Sequence, residues 1–171
     1  MKPLRVLASV ILLIVADFAM AAPVHAEATL DEAFRGEALG RGRFKSGLIG
    51  LDRGFHITTR GRKAGKDFVL DQFFRFDDGE TDRRTWRFRR VGPNRYVGTR
   101  KDVVGEAIVK VAEDVITMTY DVIVPRKDGS RLKLHFEDRI ARIDNRTLSN
   151  RATIYTLGIP VGSVEAKLVR R

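Results

Sequence analysis

Between residues 131 and 140 the side chains change character at almost every step. Leu132, Leu134, Phe136 and Ile140 fall on one face of an extended segment, with Asp138 among them, while Arg131, Lys133, His135 and Glu137 fall on the other. A period of two belongs to a strand with one side in a core and one in water. Less clean runs of the same kind occupy roughly 38–48, 55–62, 67–77, 81–91, 94–101, 104–112, 115–124, 147–157 and 162–169. Turn signals separate them at Asp52-Arg53-Gly54, Ala64-Gly65, Asp78-Gly79, Gly92-Pro93-Asn94, Pro125 to Gly129, Asp144-Asn145 and Gly158 to Gly162. The one helical signal is Thr29-Leu30-Asp31-Glu32, a capping box that starts a short helix ending near Gly36. About ten short strands with tight connections predict an all-β chain, an antiparallel sheet wrapped on itself. Closure into an up-and-down barrel removes exposed edges and leaves room for a small ligand. A two-sheet sandwich has nearly the same pattern; the hairpin-like spacing favours the barrel.

The N-terminus predicts export. Lys2 and Arg5 precede an apolar stretch from Val6 to Val15, too short to span a bilayer, and Val24 and Ala26 suit signal peptidase. The expected product is residues 27–171, cut after Ala26 and released into the periplasm as a single barrel domain. Removing 26 of 171 residues leaves 145, and losing Lys2, Arg5 and Asp17 takes the formal charge from +10 to +9. Outside the cytoplasm the abundant anionic partners are lipid head groups and acidic glycans, so an anionic membrane surface is expected and nucleic acid is not. The chain has no cysteine, which excludes thiolate chemistry, disulfides and a lipid-modified cysteine.

The densest stretch is "FFRFDDGETDRRTWRFRR", residues 73–90, read as a hairpin. A two-residue loop at Asp78-Gly79 leaves neither face clean. A three-residue loop, Asp78-Gly79-Glu80, pairs Phe76 with Asp82, Phe74 with Arg84, Gln72 with Trp86, Leu70 with Phe88 and Phe68 with Arg90, which gathers five rings and a leucine on one face. Asp71, Arg75, Arg83, Thr85, Arg87 and Arg89 then face water. This register carries Gln72 and Arg84 inward, and a buried arginine needs an acceptor. Asp138 is the expected partner, and the pair reads either as a structural ion pair or, at a barrel mouth, as a cationic anchor for a ligand carboxylate or phosphate.

No catalytic, metal or cofactor site is expected. His135 sits on a polar face, His56 has no carboxylate spaced to form a dyad, and no zinc spacing, nucleophile elbow or phosphate loop is present. Gly40, Gly42, Gly47 and Gly50 are followed by no helix and read as bulges or barrel corners. Asp77, Asp78, Glu80 and Asp82 form an acidic turn tip without the order of a calcium loop.

Taken in order, "FRFDDGETDRRTW" at 74–86, "RYVGTRKDVVGEA" at 95–107, "MTYDV" at 118–122 and "LSNRATIYTLGIPVGSV" at 148–164 resemble the bacterial family catalogued as domain of unknown function 3833. The matched elements are Arg84 and Trp86, Tyr96 and Gly98, then Asp102, Val103, Gly105 and Ala107, and finally Asn150, Arg151 and Ala152. Glu113-Asp114 departs from a glycine-asparagine turn, and the absence of cysteine departs from relatives that are lipoproteins. The resemblance implies an exported, lipocalin-like (calycin) barrel with a connection to lipids and no known catalytic residue. The expected function is non-catalytic binding of a lipid, fatty acid or similar amphiphile. Phe74, Phe76, Trp86 and Tyr120 would line the cavity, Arg84 would hold the polar end, and Gln72 and Asp138 would adjust its position. Two other readings stand beside it: an enzyme of lipid modification or isomerisation using interior carboxylates, and a scaffold docking through its basic outer face.

Overall fold

A computed structural model describes residues 29–126 and 129–171; the expected signal peptide and its expected cleavage site after Ala26 lie outside the described residues. Helix α1 (Leu30–Phe34) leads into β1 (Gly36–Ser46), β2 (Leu51–Ala64), β3 (Asp67–Phe76), β4 (Thr81–Gly92), β5 (Arg95–Thr99), β6 (Val103–Ala112), β7 (Val115–Pro125), β8 (Arg131–Arg142), β9 (Thr147–Thr156) and β10 (Ile159–Arg170). Each strand pairs antiparallel with its chain neighbours, and β1 also pairs with β10, from Ala38 opposite Arg170 to Lys45 opposite Ser163. The sheet is thus a closed, ten-stranded, up-and-down barrel, and the sandwich is excluded.

Connectivity gives the barrel two unlike ends. The links β2–β3, β4–β5, β6–β7 and β8–β9 gather at one end, together with α1 and the C-terminus, while β1–β2, β3–β4, β5–β6, β7–β8 and β9–β10 gather at the other. The first end is plugged. Thr29 caps α1 by accepting from the Glu32 amide at 3.2 Å, and the Glu32 carboxylate accepts from the Thr29 amide at 3.0 Å. Such a short helix is held by burial rather than by propensity: Leu30 and Ala33 are fully enclosed, in one cluster with Phe68, Tyr96, Ile116, Ile140 and Leu168. The C-terminal strand ties the plug down, since Arg170 donates to the carbonyls of Glu32 at 2.5 Å and Ala33 at 3.2 Å.

Two expectations need correction. Asp52-Arg53-Gly54 is not a turn but part of β2; the chain reverses at Gly47–Ile49, a turn of 3-10 helix closed by Gly50 in the left-handed region. The β3–β4 partners are also two residues away from those expected: Phe74 faces Asp82, Gln72 faces Arg84, Leu70 faces Trp86 and Phe68 faces Phe88. The loop is three residues long, but it is Asp77-Asp78-Gly79, with the Phe76 amide donating to the Glu80 carbonyl at 2.8 Å. Gly79, at φ +87°, takes the last loop position rather than the middle one, where a left-handed residue ends a three-residue hairpin loop. A slip of two preserves which face each side chain joins. Phe68, Leu70, Phe74, Trp86 and Phe88 are accordingly buried, and Arg75, Arg83, Thr85, Arg87 and Arg89 are exposed.

Candidate ligand-binding cavity

The ring-bearing faces of β2, β3, β4, β7 and β8 do not fill the barrel. They enclose a cavity of about 410 Å³, within the size range of small-molecule sites. Its walls are mostly apolar, and partly exposed Phe44, Leu51 and Val124 mark where it opens at the end opposite α1. Two aromatic groups shape it. Phe55, Phe74 and Phe76 contact one another with centroids 5.4 to 6.1 Å apart. Across the barrel, Trp86 stacks on Phe88 at 5.5 Å and meets Tyr120 edge-on at 5.1 Å, and Tyr120 stacks on Phe136 at 5.1 Å. Gly98 of the Tyr-x-Gly element makes the first stack possible, because a Cβ there would lie 2.8 Å from the Phe88 ring and 3.4 Å from Trp86.

All seven residues singled out from the sequence line this cavity: Gln72, Phe74, Phe76, Arg84, Trp86, Tyr120 and Asp138. The expected Arg84–Asp138 ion pair does not form. Arg84 Nε binds Asp82 Oδ2 at 2.7 Å, two residues away on the same inward face, and its guanidinium lies 4.7 Å from the Phe74 ring centroid. A neighbour on the same strand reaches Arg84 without spanning the barrel. Gln72 stands opposite Arg84 in register.

Two further arginines reach the cavity. Arg100, at the β5–β6 turn, folds inward until its side chain is 6% exposed, with Nε 2.5 Å from Asp102 Oδ1 and Nη2 3.0 Å from Oδ2. Its guanidinium lies 4.5 Å from the Trp86 ring and 5.3 Å from that of Tyr120. Arg53, in the segment expected to be a turn, stacks 3.7 Å over Phe76 and binds Asp78 at 2.7 Å and Glu80 at 2.5 Å. The three arginines are therefore each held between a ring and an acid around the open half of the cavity. Burial acts to raise the Asp102 pKa, but the hydrogen bonds and charge of Arg100 outweigh it and hold the carboxyl below its ordinary range. Arg100 and Asp102 lie between β5 and β6, so no strand alternation in the sequence points to either of them.

Deeper in, Asn150 Nδ2 donates to Asp138 Oδ1 at 2.9 Å, while Asp138 Oδ2 and Asn150 Oδ1 are both buried without a hydrogen-bond partner. Burial raises the Asp138 carboxyl to about 6, even though the Asn150 amide, the Tyr120 hydroxyl, and the charges of Arg100 and Arg84 pull it down. Burial also drives the Tyr120 phenol above its ordinary value, and the neighbouring Asp138 adds to the shift. The histidines stand outside this site. His135, on the outer face, has Nδ1 2.7 Å from Asp121. Among the described residues no cluster of side chains is arranged to hold a metal ion.

A family model described as "Protein of unknown function (DUF3833)" matches residues 7–170. No curated protein matches the chain significantly. Among solved structures, Rv2717c from M. tuberculosis is 21% identical, covers 81% of this chain and 92% of its own, and superposes with a TM-score of 0.55. The S-type phycobiliprotein lyase CPES from Guillardia theta is 11% identical over 84% of this chain and 93% of its own, with a TM-score of 0.61. At such identities the likeness is one of fold: a closed barrel with an interior.

Proposed function

The chain belongs to the family described as Protein of unknown function (DUF3833), a description that carries no activity, and we propose that it is a non-catalytic binder of a lipid, fatty acid or similar anionic amphiphile in the periplasm. The observation that carries this reading is the division of the cavity into an apolar body and an arginine-bearing mouth. A tail entering the body leaves water at a gain of ~0.8 kcal/mol per methylene, so ten methylenes contribute about 8 kcal/mol before the costs of ordering. The head group meets Arg84, whose described ion pair uses only Nε, and beside it Arg100, pre-set by Asp102. An anionic head held by charge-assisted hydrogen bonds fixes the ligand with its tail inward.

Of the two acids that line the cavity, Asp102 is committed to Arg100, so an enzyme using interior carboxylates would have to work through Asp138 with Tyr120 beside it. The binding reading is tested by native mass spectrometry of protein purified from its host. A co-purifying lipid that is lost from Arg84→Ala and Arg100→Ala supports it. Protein that is ligand-free and takes up no fatty acid when titrated sinks it. Export is tested separately, by sequencing the N-terminus of the periplasmic protein, which should begin at Glu27.

A further inference from the structure

Leu157 and Gly158 form the β9–β10 turn, both in the left-handed region at φ +50° and +78°. That conformation is taken readily by glycine, asparagine and aspartate and is unfavourable for leucine. Among the described residues the other two non-glycine positions with positive φ, Asn94 and Glu113, are polar and lie in hairpins at the plugged end. Leu157 is also 97% exposed, so at this tip turn chemistry and burial both argue against the residue that is there.

It does not stand alone. Ile159, two residues on, is 63% exposed, and Leu48 in the β1–β2 turn is 52% exposed. The two turns adjoin: β1 pairs with β10, and the Ser46 hydroxyl donates to the Val161 carbonyl at 2.8 Å. Partly exposed Val124 extends the apolar rim to the β7–β8 link. Cations flank this side of the mouth. Lys45, Arg126, Arg131 and Lys133 are exposed, and Thr156 beside the tip donates to the Lys133 carbonyl at 3.2 Å. Most acids near the rim are tied to cations, Asp52 to Arg43, Asp78 and Glu80 to Arg53, Asp102 to Arg100 and Asp121 to Lys133, while Asp77 is exposed.

Projecting leucine and isoleucine side chains amid lysines and arginines, at the mouth of an apolar cavity, match the interface of an anionic bilayer: hydrocarbon for the tips and phosphate for the cations. We propose that the open end of the barrel docks on an anionic lipid surface, with Leu157, Ile159 and Leu48 entering the head-group and acyl boundary. This goes beyond the ligand reading and does not require it, since a barrel with nothing in its cavity would dock equally well.

The test is flotation of the purified barrel with vesicles of phosphatidylcholine alone and of phosphatidylcholine with about 30% phosphatidylglycerol, which gives a strong negative surface potential. Binding should need the anionic lipid and weaken with salt. Leu157→Asn puts a residue suited to positive φ at the tip, so its melting temperature should hold or rise while its vesicle partitioning falls about tenfold. Ile143→Asn, which changes an exposed isoleucine at the plugged end, should leave partitioning unchanged. Equal loss in both variants, or wild-type protein that floats with neither vesicle, overturns the proposal. So does a wild-type homodimer that Leu157→Asn dissociates, which would make the tip a contact between copies.

Discussion

Asp138→Asn should make the protein more stable at neutral pH. The carboxyl titrates near 6 in the barrel against 3.8 for an ordinary aspartate. Between those values the folded protein keeps a proton that the unfolded chain has released, so stability falls as pH rises through the window from about 4 to about 6 and then levels off. A shift of about two pKa units corresponds to roughly 3 kcal/mol. The structure gives the cause: Asp138 Oδ2 and the Asn150 carbonyl are buried acceptors, the Asn150 amide is spent on Asp138 Oδ1, and the Tyr120 hydroxyl offsets the burial only in part. An asparagine supplies the missing donor at every pH, in nearly the same volume. Urea unfolding at several pH values between 4 and 7.5, followed by the single tryptophan, buried Trp86, should show wild type falling by up to about 3 kcal/mol relative to Asp138→Asn across the window, the two converging near pH 4. Asp52, Asp78, Asp102, Asp121 and Asp144 all have lowered pKa values, and their contribution is lost as pH falls below the ordinary aspartate range. Their slope has the opposite sign, sets in below about pH 5 and is common to wild type and variant, so it cancels in the difference between them. A variant that keeps the wild-type slope from pH 4 to 6, or is less stable than wild type at pH 7, refutes the reasoning.

Three further outcomes follow from the packing. Leu30→Ala, beneath the plug, should cost about 2–4 kcal/mol in urea unfolding while leaving the far-UV circular dichroism of the barrel intact. Gly98→Ala should cost about 1–3 kcal/mol and redshift or broaden Trp86 emission, because the new methyl pushes into the Trp86–Phe88 stack. Thr29→Ala removes one half of the capping box and should cost about 1 kcal/mol, seen as faster amide exchange in residues 30–34.

The barrel was legible because its evidence is periodic. Alternation at 131–140, repeated in nine other runs, gives strand number and inward faces without any knowledge of partners, and the faces survived even where the β3–β4 partners were two residues away from those expected. The capping box was equally plain, being local. What stayed hidden was where a side chain goes once the strand ends. Arg100 sits at a turn and bends back over Trp86, a rotamer that no alternation encodes. Arg53 was obscured by Asp52 and Gly54, which look like a turn in sequence although the pairing of β1 with β2 carries the strand through them. The wrong partner for Arg84 has the same origin: Asp138 stands on the cleanest apolar face in the sequence, whereas Asp82 is simply nearer.

The pairing of β1 with β10 also sets an order of events. Ala38 and Arg170 stand side by side in the sheet while lying far apart in sequence, so the barrel cannot close before β10 has been made. Until then β1 and β9 present open edges, able to pair with other chains, and the α1 plug lacks the Arg170 bonds that fasten it. For this chain, the barrel can close only once β10 is free to reach β1.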